Sequence, residues 1–415
     1  ISLTALLIRL QESIGRVRVL IALLESRPTA EANLARVRLF KELVRAENTD
    51  NDLSDHWARH IELLALRVTG NAGKTGERYI TQSRAEYRNM LQSAAGAGFV
   101  IAFMALAKVA LSATPNAPFV EAVQYSLNYG LGFVLIYMLH FTIATKQPAM
   151  TASYIAASLE NGGGRADRLD GLADLVVRTV RSQFIAVVGN VATVVPLSIL
   201  LAATVFAQTG AHFVTPEEAD HLLHDLSPVH SLALFHAAIA GVCLFLSGLV
   251  SGYYDNRAVY SQLRVRIAQR PVLRRWLGAD LTDRLAQYLE DHMGGIAGNF
   301  LFGVMLGSMG TIGFVLGLPL DIRHITFSAA YLGLSLQGLD WQVGAATIVL
   351  SAIGVLTVGM INLLVSFSLA LYVAMKSQRV KFKETPDLVG KITERFRSRP
   401  ASFFLPPREV SADVA

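Results

Sequence analysis

The chain reads as an all-α polytopic membrane helix bundle with an N-terminal helical region outside the bilayer. Three observations predict it. First, 52% of the 415 residues are hydrophobic and only 17% are charged, against roughly 25% charged in soluble domains. Second, the deficit is local. Residues 1–90 are charge-rich, and the remainder of the chain contains six stretches of 18 or more mostly apolar residues, the length that crosses about 30 Å of hydrocarbon. Third, Lys and Arg are shared unevenly among the connections, as the positive-inside rule requires.

In residues 1–90, Leu3, Leu6, Leu7, Leu10, Ile14 and Val17 recur at helical spacing. Further helices are expected over Thr29–Glu47 and Leu53–Thr69, punctuated by Pro28 and by the polar cluster 48–52. A flexible break comes next at Gly70–Gly76, and this segment misses the phosphate-loop spacing. The chain starts at Ile1 in the middle of an amphipathic pattern and is expected to be part of a longer protein.

Six spans are expected near 91–112, 125–145, 183–207, 229–252, 294–320 and 344–375. Pro196 lies inside the third, where it removes one helix hydrogen bond. Residues 325–339 are apolar but too short to cross, which predicts a re-entrant or interfacial segment. An internal echo links 132–145 (GFVLIYMLHFTIAT) with 313–328 (GFVLGLPLDIRHITFS), and 182–190 with 294–299. A duplicated unit of the kind found in many transporters would produce such an echo.

Connections 112–124 and 208–228 carry no Lys or Arg, and 321–343 carries only Arg323. Segment 146–182 carries five, beginning with Lys146, and 253–293 carries seven. The tail from 376 to 415 is again basic. This places residues 1–90, both basic connections and the tail on the cytoplasmic side of a membrane. Arg264, Arg266, Arg270, Arg274 and Arg275 are expected to meet anionic lipid headgroups. Nucleic acid is not an expected partner. Residues 1–90 offer a surface for a protein partner.

Polar residues inside spans are candidates for function. Asn190, Asn299 and Asn362 sit deep, either bonding helices together or lining a cavity. Asp321, Arg323 and His324 follow Pro319 at a membrane boundary, where ionisable groups are costly unless paired or solvated. Glycines stud the fifth span, and the pairs Gly294/Gly298 and Gly303/Gly307 have the four-residue spacing that lets helices approach closely. In the outer connection, His221, His224 and Asp225 share one helical face and could hold zinc or copper. No cofactor is expected. The single cysteine, Cys243, excludes an intrachain disulfide and a four-cysteine zinc site.

Several long motifs carry a family resemblance: SGYYDNRAVY (251–260), RPVLRRWLG (270–278), GGIAGNFLFG (294–303) and GLPLDIRHITFSAA (317–330). The chain resembles the proteobacterial polytopic membrane proteins labelled site-specific recombinase, of gonococcal type, from about residue 80 onward. The resemblance implies a longer N-terminal helical region and recombination of DNA at the membrane. That chemistry needs a nucleophilic hydroxyl beside an arginine pocket, and Tyr253, Tyr254 and Tyr260 lie near arginines. The glycine-rich fifth span, the short apolar segment and the buried asparagines point instead to a protein that binds or moves an apolar or amphipathic substrate, or supports envelope assembly. A scaffold recruiting a partner through residues 1–90 is the third reading.

Overall fold

A computed structural model describes residues 10–11, 13–15, 17, 21, 30–49, 80–146, 165–377 and 385–406, and their regular structure is entirely helical. The chain divides into two compact units, Ile1–Glu62 and Leu63–Ala415. In the first, helix α1 spans Ala30–Thr49, close to the expected Thr29–Glu47. It leaves Leu34, Val37, Phe40 and Leu43 exposed. The expected helix over Leu53–Thr69 and the break at Gly70–Gly76 lie outside the described residues.

The second unit holds the bundle. Helix α2 (Arg84–Ser112) starts on a capping box, in which Ser83 accepts from the Glu86 N–H while Glu86 returns a carboxylate to the Ser83 N–H. Then come α3 (Pro118–Met138), α4 (Arg165–Thr209), the short α5 (Pro216–Asp225) and α6 (Ala233–Tyr260). Two short helices, α7 (Leu263–Ala268) and α8 (Pro271–Leu277), lead into α9 (Ala279–Leu316). The series ends with α10 (Ile325–Gly338), α11 (Ala345–Ser377), α12 (Thr385–Ser398) and a 3-10 turn at Pro400–Phe403.

Five helices, α2, α4, α6, α9 and α11, are long and apolar enough to cross a membrane. Their outward faces are apolar: Val349, Ile353, Leu356, Met360 and Leu364 stand exposed along α11. Pro196 lies inside the unbroken α4.

The expected span at 125–145 is corrected. The helix runs from Pro118 to Met138 and the chain leaves it at Leu139. It is not among the five, and Glu121, Gln124 and Asn128 fall within it. Those groups face the bundle, whereas every exposed residue from Pro118 to Met138 is apolar, with Val123, Leu127, Leu131 and Leu135 in a line. After Met138 the backbone turns at His140, with φ 59°, and carries Ala144, Thr145 and Lys146 into the interior.

The segment expected at 325–339 forms α10, and all of its residues except Tyr331 are buried. It is enclosed by α2, α4, α5 and α11, so it does not lie on the bundle surface. Enclosure is what lets a chain end its helix at membrane depth, since the freed backbone groups must find partners in protein.

Helix α9 is packed by its glycines. A Cβ at Gly303 or Gly307 would fall onto the backbone of α3 at Gly130 or Ser126. On another face, Gly294 and Gly298 lie against Ser251 and Ser247 of α6. On the surface, α7 and α8 expose Arg264, Arg266, Arg274 and Arg275 together with Val265, Val272 and Trp276.

At the same end of the bundle, α12 docks on the first turns of α4. Lys391 Nζ donates to Asp170 Oδ2 at 2.6 Å, and Arg395 reaches Asp170 at 3.1 Å and Asp174 at 2.9 Å. Hydrogen bonds from Lys391 and then Arg395 hold the Asp170 carboxyl below its usual range. A depressed carboxylate contributes above its unfolded value and is lost as pH falls through its folded value. Docking of α12, read as the distance between spin labels on α4 and α12, is therefore expected to hold from neutral pH down to about 4 and to loosen only below it. Asp170→Asn should loosen it at all pH values. Loosening of the wild type near pH 6 would show that other groups hold the tail.

Candidate functional site

Two polar features occupy the bundle, an open cavity at one end and a buried knot behind it. The cavity has a volume of about 590 Å³. Helix ends and connections from α2, α3, α5, α9 and α10 line it. They are the connections poorest in Lys and Arg, gathered at one end.

Arg323 anchors this wall. Its guanidinium takes Asp225 Oδ2 at 2.6 Å and also bonds the Asp321 carboxylate. His221 Nδ1 lies 3.6 Å from Asp225 on the neighbouring turn. Among the described residues no three His, Cys, Asp or Glu side chains converge as a metal site would need. Of the residues expected to hold metal, Asp225 is already engaged by Arg323, and His224 joins no such cluster.

Lys108 is differently placed. Its ammonium stands 5.5 Å above the Tyr125 ring and 5.7 Å from the Tyr331 ring. It forms no ion pair among the described residues, although Glu121 and Glu218 share the cavity wall. The Tyr129 and Tyr331 hydroxyls lie 3.3 Å apart deeper in. The site therefore offers cations, carboxylates and aromatic faces together.

His324 closes the inner end of the cavity and starts the knot. Its Nδ1 accepts from the Thr326 N–H at 3.4 Å, so the neutral ring carries its proton on Nε2, which donates to Thr145 Oγ1 at 3.3 Å. Thr145 Oγ1 in turn donates to Ala144 O. Next to it, Lys146 Nζ bonds Asn299 Oδ1 and stands 5.2 Å from the Phe302 ring. Lys146 is only 7% exposed.

The asparagines do not line the cavity. Asn190 Nδ2 donates to Ala94 O and Thr142 O, while its Oδ1 accepts from the Ala144 N–H and the Thr326 hydroxyl. Asn362 Nδ2 donates to Ala237 O and Arg323 O, and its Oδ1 accepts from the Ile325 N–H. Each satisfies backbone that a broken helix has left bare. Of the six residues singled out from sequence, Asp321, Arg323 and His324 meet in the cavity. Asn190, Asn299 and Asn362 belong to the knot and its supports.

Sequence reasoning did not single out Lys108, Tyr125, Tyr331 or Lys146 as site residues. Lys146 reads in sequence as one more topological cation. The signal that could have found it is its position directly after an apolar run with no acidic residue within ten positions on either side.

Residues 1–406 match the family model described as site-specific recombinase. The chain belongs to this family. No curated protein sequence and no solved structure matches it. In this member of the site-specific recombinase family, Tyr253, Tyr254 and Tyr260 sit near the end of α6. Arg257 Nη1 donates to Tyr253 Oη at 3.0 Å, Tyr254 packs edge-on against Tyr253, and Tyr260 is exposed.

Proposed function

We propose that this family member is a six-crossing inner-membrane protein of bacteria that binds and moves a small amphipathic molecule whose polar end carries both charges. The cavity carries the proposal. A molecule of this kind would set its anionic group against Lys108, its cationic group toward Glu121 and Glu218, and its apolar part along Tyr125, Tyr129 and Phe327. Pockets of about 300–1,000 Å³ are the usual size for small ligands. Helix α3 supplies the sixth crossing. Its 21 residues measure about 32 Å at 1.5 Å per residue, and its outward stripe is wholly apolar. The cavity end faces away from the cytoplasm, because the arginine-rich connections and the tail belong to the other end. There the arginines of α7 and α8, with Trp276 beside them, contact anionic headgroups. Residues 1–90 remain the surface for a protein partner.

Native mass spectrometry of the protein offered equal amounts of lysophosphatidylethanolamine, lysophosphatidylglycerol and monoacylglycerol tests this. The zwitterionic species should be retained in preference, and Lys108→Met or Glu218→Gln should weaken retention about tenfold. Equal retention of all three, or no response to either variant, would remove the cavity reading.

The family description supports a second reading, strand exchange on DNA, for which the Tyr253–Arg257 contact is the relevant observation. Purified protein that cleaves and rejoins a duplex, and loses this as Tyr253→Phe, Tyr254→Phe or Tyr260→Phe, would establish it. Salt-sensitive DNA binding alone would not, since clustered arginines give it without sequence or chemistry.

A further inference from the structure

The two breaks in the bundle are tied by the same set of bonds. On α2, Ser93 O accepts from the Thr142 N–H at 3.2 Å, and on α6, His236 O accepts from the Arg323 N–H at 3.3 Å. One residue along each helix, Ala94 O and Ala237 O accept from Asn190 Nδ2 and Asn362 Nδ2. Each amide then donates to the carbonyl of Thr142 or Arg323, and each Oδ1 accepts from the N–H two residues further on, at Ala144 or Ile325. One turn beyond the alanines stand Gly98 and Gly241. A Cβ there would meet the carbonyl oxygen of Asn190 at 2.7 Å or of Asn362 at 3.2 Å.

The sequence follows the same register. Residues 93–98 (SAAGAG) pair with 236–241 (HAAIAG), and 132–145 pair without a gap with 313–326. The second expected echo is corrected here, because Asn190 pairs with Asn362 and not with Asn299.

The helix directions show how one half maps on the other. Helices α2 and α4 run parallel, since Thr81 meets Ser182 and Gly98 meets Thr193. Helices α6 and α11 also run parallel, since Ala237 meets Asn362 and Gly241 meets Val365. The middle helices α3 and α9 are antiparallel to each other: Thr311 reaches Pro118, Ser126 reaches Val304, and Gly295 meets Tyr137. The half α2–α3–α4 therefore maps onto α6–α9–α11 only by turning it over.

We infer that these halves are inverted repeats, and that the cavity has a twofold image at the cytoplasmic end which opens when the cavity closes. This rests on the transport reading and adds its mechanism, since inverted repeats give carriers two exchanged halves around one central site. Continuing the pairing along the unbroken helices carries Pro118, Glu121 and Phe327 of the cavity onto Asn299, Phe302 and Lys146, and carries Lys108 onto Ser251. The structure gathers Lys146, Asn299 and Phe302 into one buried cluster, with Ser251 also buried. The image is packed shut around a lysine ammonium on an aromatic ring, the same pairing that Lys108 makes at the open end. An amphipathic molecule released from Lys108 would thus meet a second lysine on the other side of His324.

The test uses the full chain carrying Cys243→Ala, so that introduced cysteines are the only thiols. Thr311→Cys reports on the cavity. Ser251→Cys reports on the image, with Ile143→Cys, the counterpart of His324, as a second reporter should the first variant fail to fold. In sealed vesicles of both orientations, a membrane-impermeant thiosulfonate should label position 251 only from the side opposite the cavity. Blocking position 311 beforehand with a bulky impermeant maleimide should hold the cavity open and slow that labelling tenfold or more. An inert 251 and 143, labelling from the cavity side, or a rate indifferent to the block would overturn the inference. Should lysophosphatidylethanolamine still be retained in that event, the cavity binds without exchanging sides. Switching of the label without retention would instead leave the repeat standing and remove the proposed ligand.

Discussion

Asn190→Ala is expected to be among the most damaging single changes in the bundle. The residue is fully buried and makes four bonds, two of them to the backbone at Thr142 and Ala144 where the chain has left its helix. Removal strands the Ala144 N–H and the Thr326 hydroxyl away from water, and each stranded buried group costs about 1–3 kcal/mol. The expected loss is about 3 kcal/mol or more. The lone Cys243, 2% exposed, supplies the measurement. A dye that fluoresces on reaction with the thiol reports when the bundle opens, so the unfolding midpoint in micelles can be read directly. Asn362→Ala, with three equivalent bonds, should behave alike. Asn116→Ala, whose amide bonds Thr114 and Gln124 at the surface, should shift the midpoint little. Identical midpoints for the 190 and 116 variants would mean that the break at 142–144 holds itself.

Gly303→Val should be at least as severe. The space that a side chain would need is filled by the main chain of Gly130 and Tyr129, and main chain cannot swing aside. Overpacking typically costs about 1–3 kcal/mol and more where the neighbours cannot yield. Here α3 would have to leave α9, so the expected outcome is a protein that fails to elute as a single species, or one with a midpoint far below that of Asn190→Ala. Gly310→Ala is the control, because its Cβ would find only Asp321 Oδ1, at 3.7 Å. A Gly303→Val protein with an unaltered midpoint would show that α3 is not held where the structure puts it.

Much of the architecture could be read from composition because five helices carry long apolar stretches with few charges and face outward with Val, Leu, Ile and Phe. Helix α3 was harder to bound. Its polar groups point inward, where Asn128 bonds Met104 O and Tyr129 meets Tyr331, and averaging over a window hides which face they occupy. The break after Met138 was not legible at all, since it depends on Asn190, Gln183 and Ser93, which are distant in sequence and accept or donate to its backbone. The asparagines were recognised as polar and deep, but their task is to satisfy backbone, which no spacing rule encodes. Arg323 with Asp321 was readable from proximity in sequence. Its tie to Asp225 was not, because the whole of α6 to α9 intervenes.

The glycine seams on α9 set what motions the bundle can make. Where two helices interlock through large side chains, one cannot shift along the other without unseating them. At Gly303 and Gly307 the surface that α9 offers to α3 is main chain against main chain, whereas Gly295 and Gly294 receive the Tyr137 ring of α3 and the Asp255 carboxylate of α6. The main-chain seam resists separation, since a gap forfeits close packing along it, and the seated side chains oppose sliding. A rearrangement that exchanges the two openings would then have to lift the Tyr137 ring and the Asp255 carboxylate from their glycine notches while the seam at Gly303 and Gly307 stays closed.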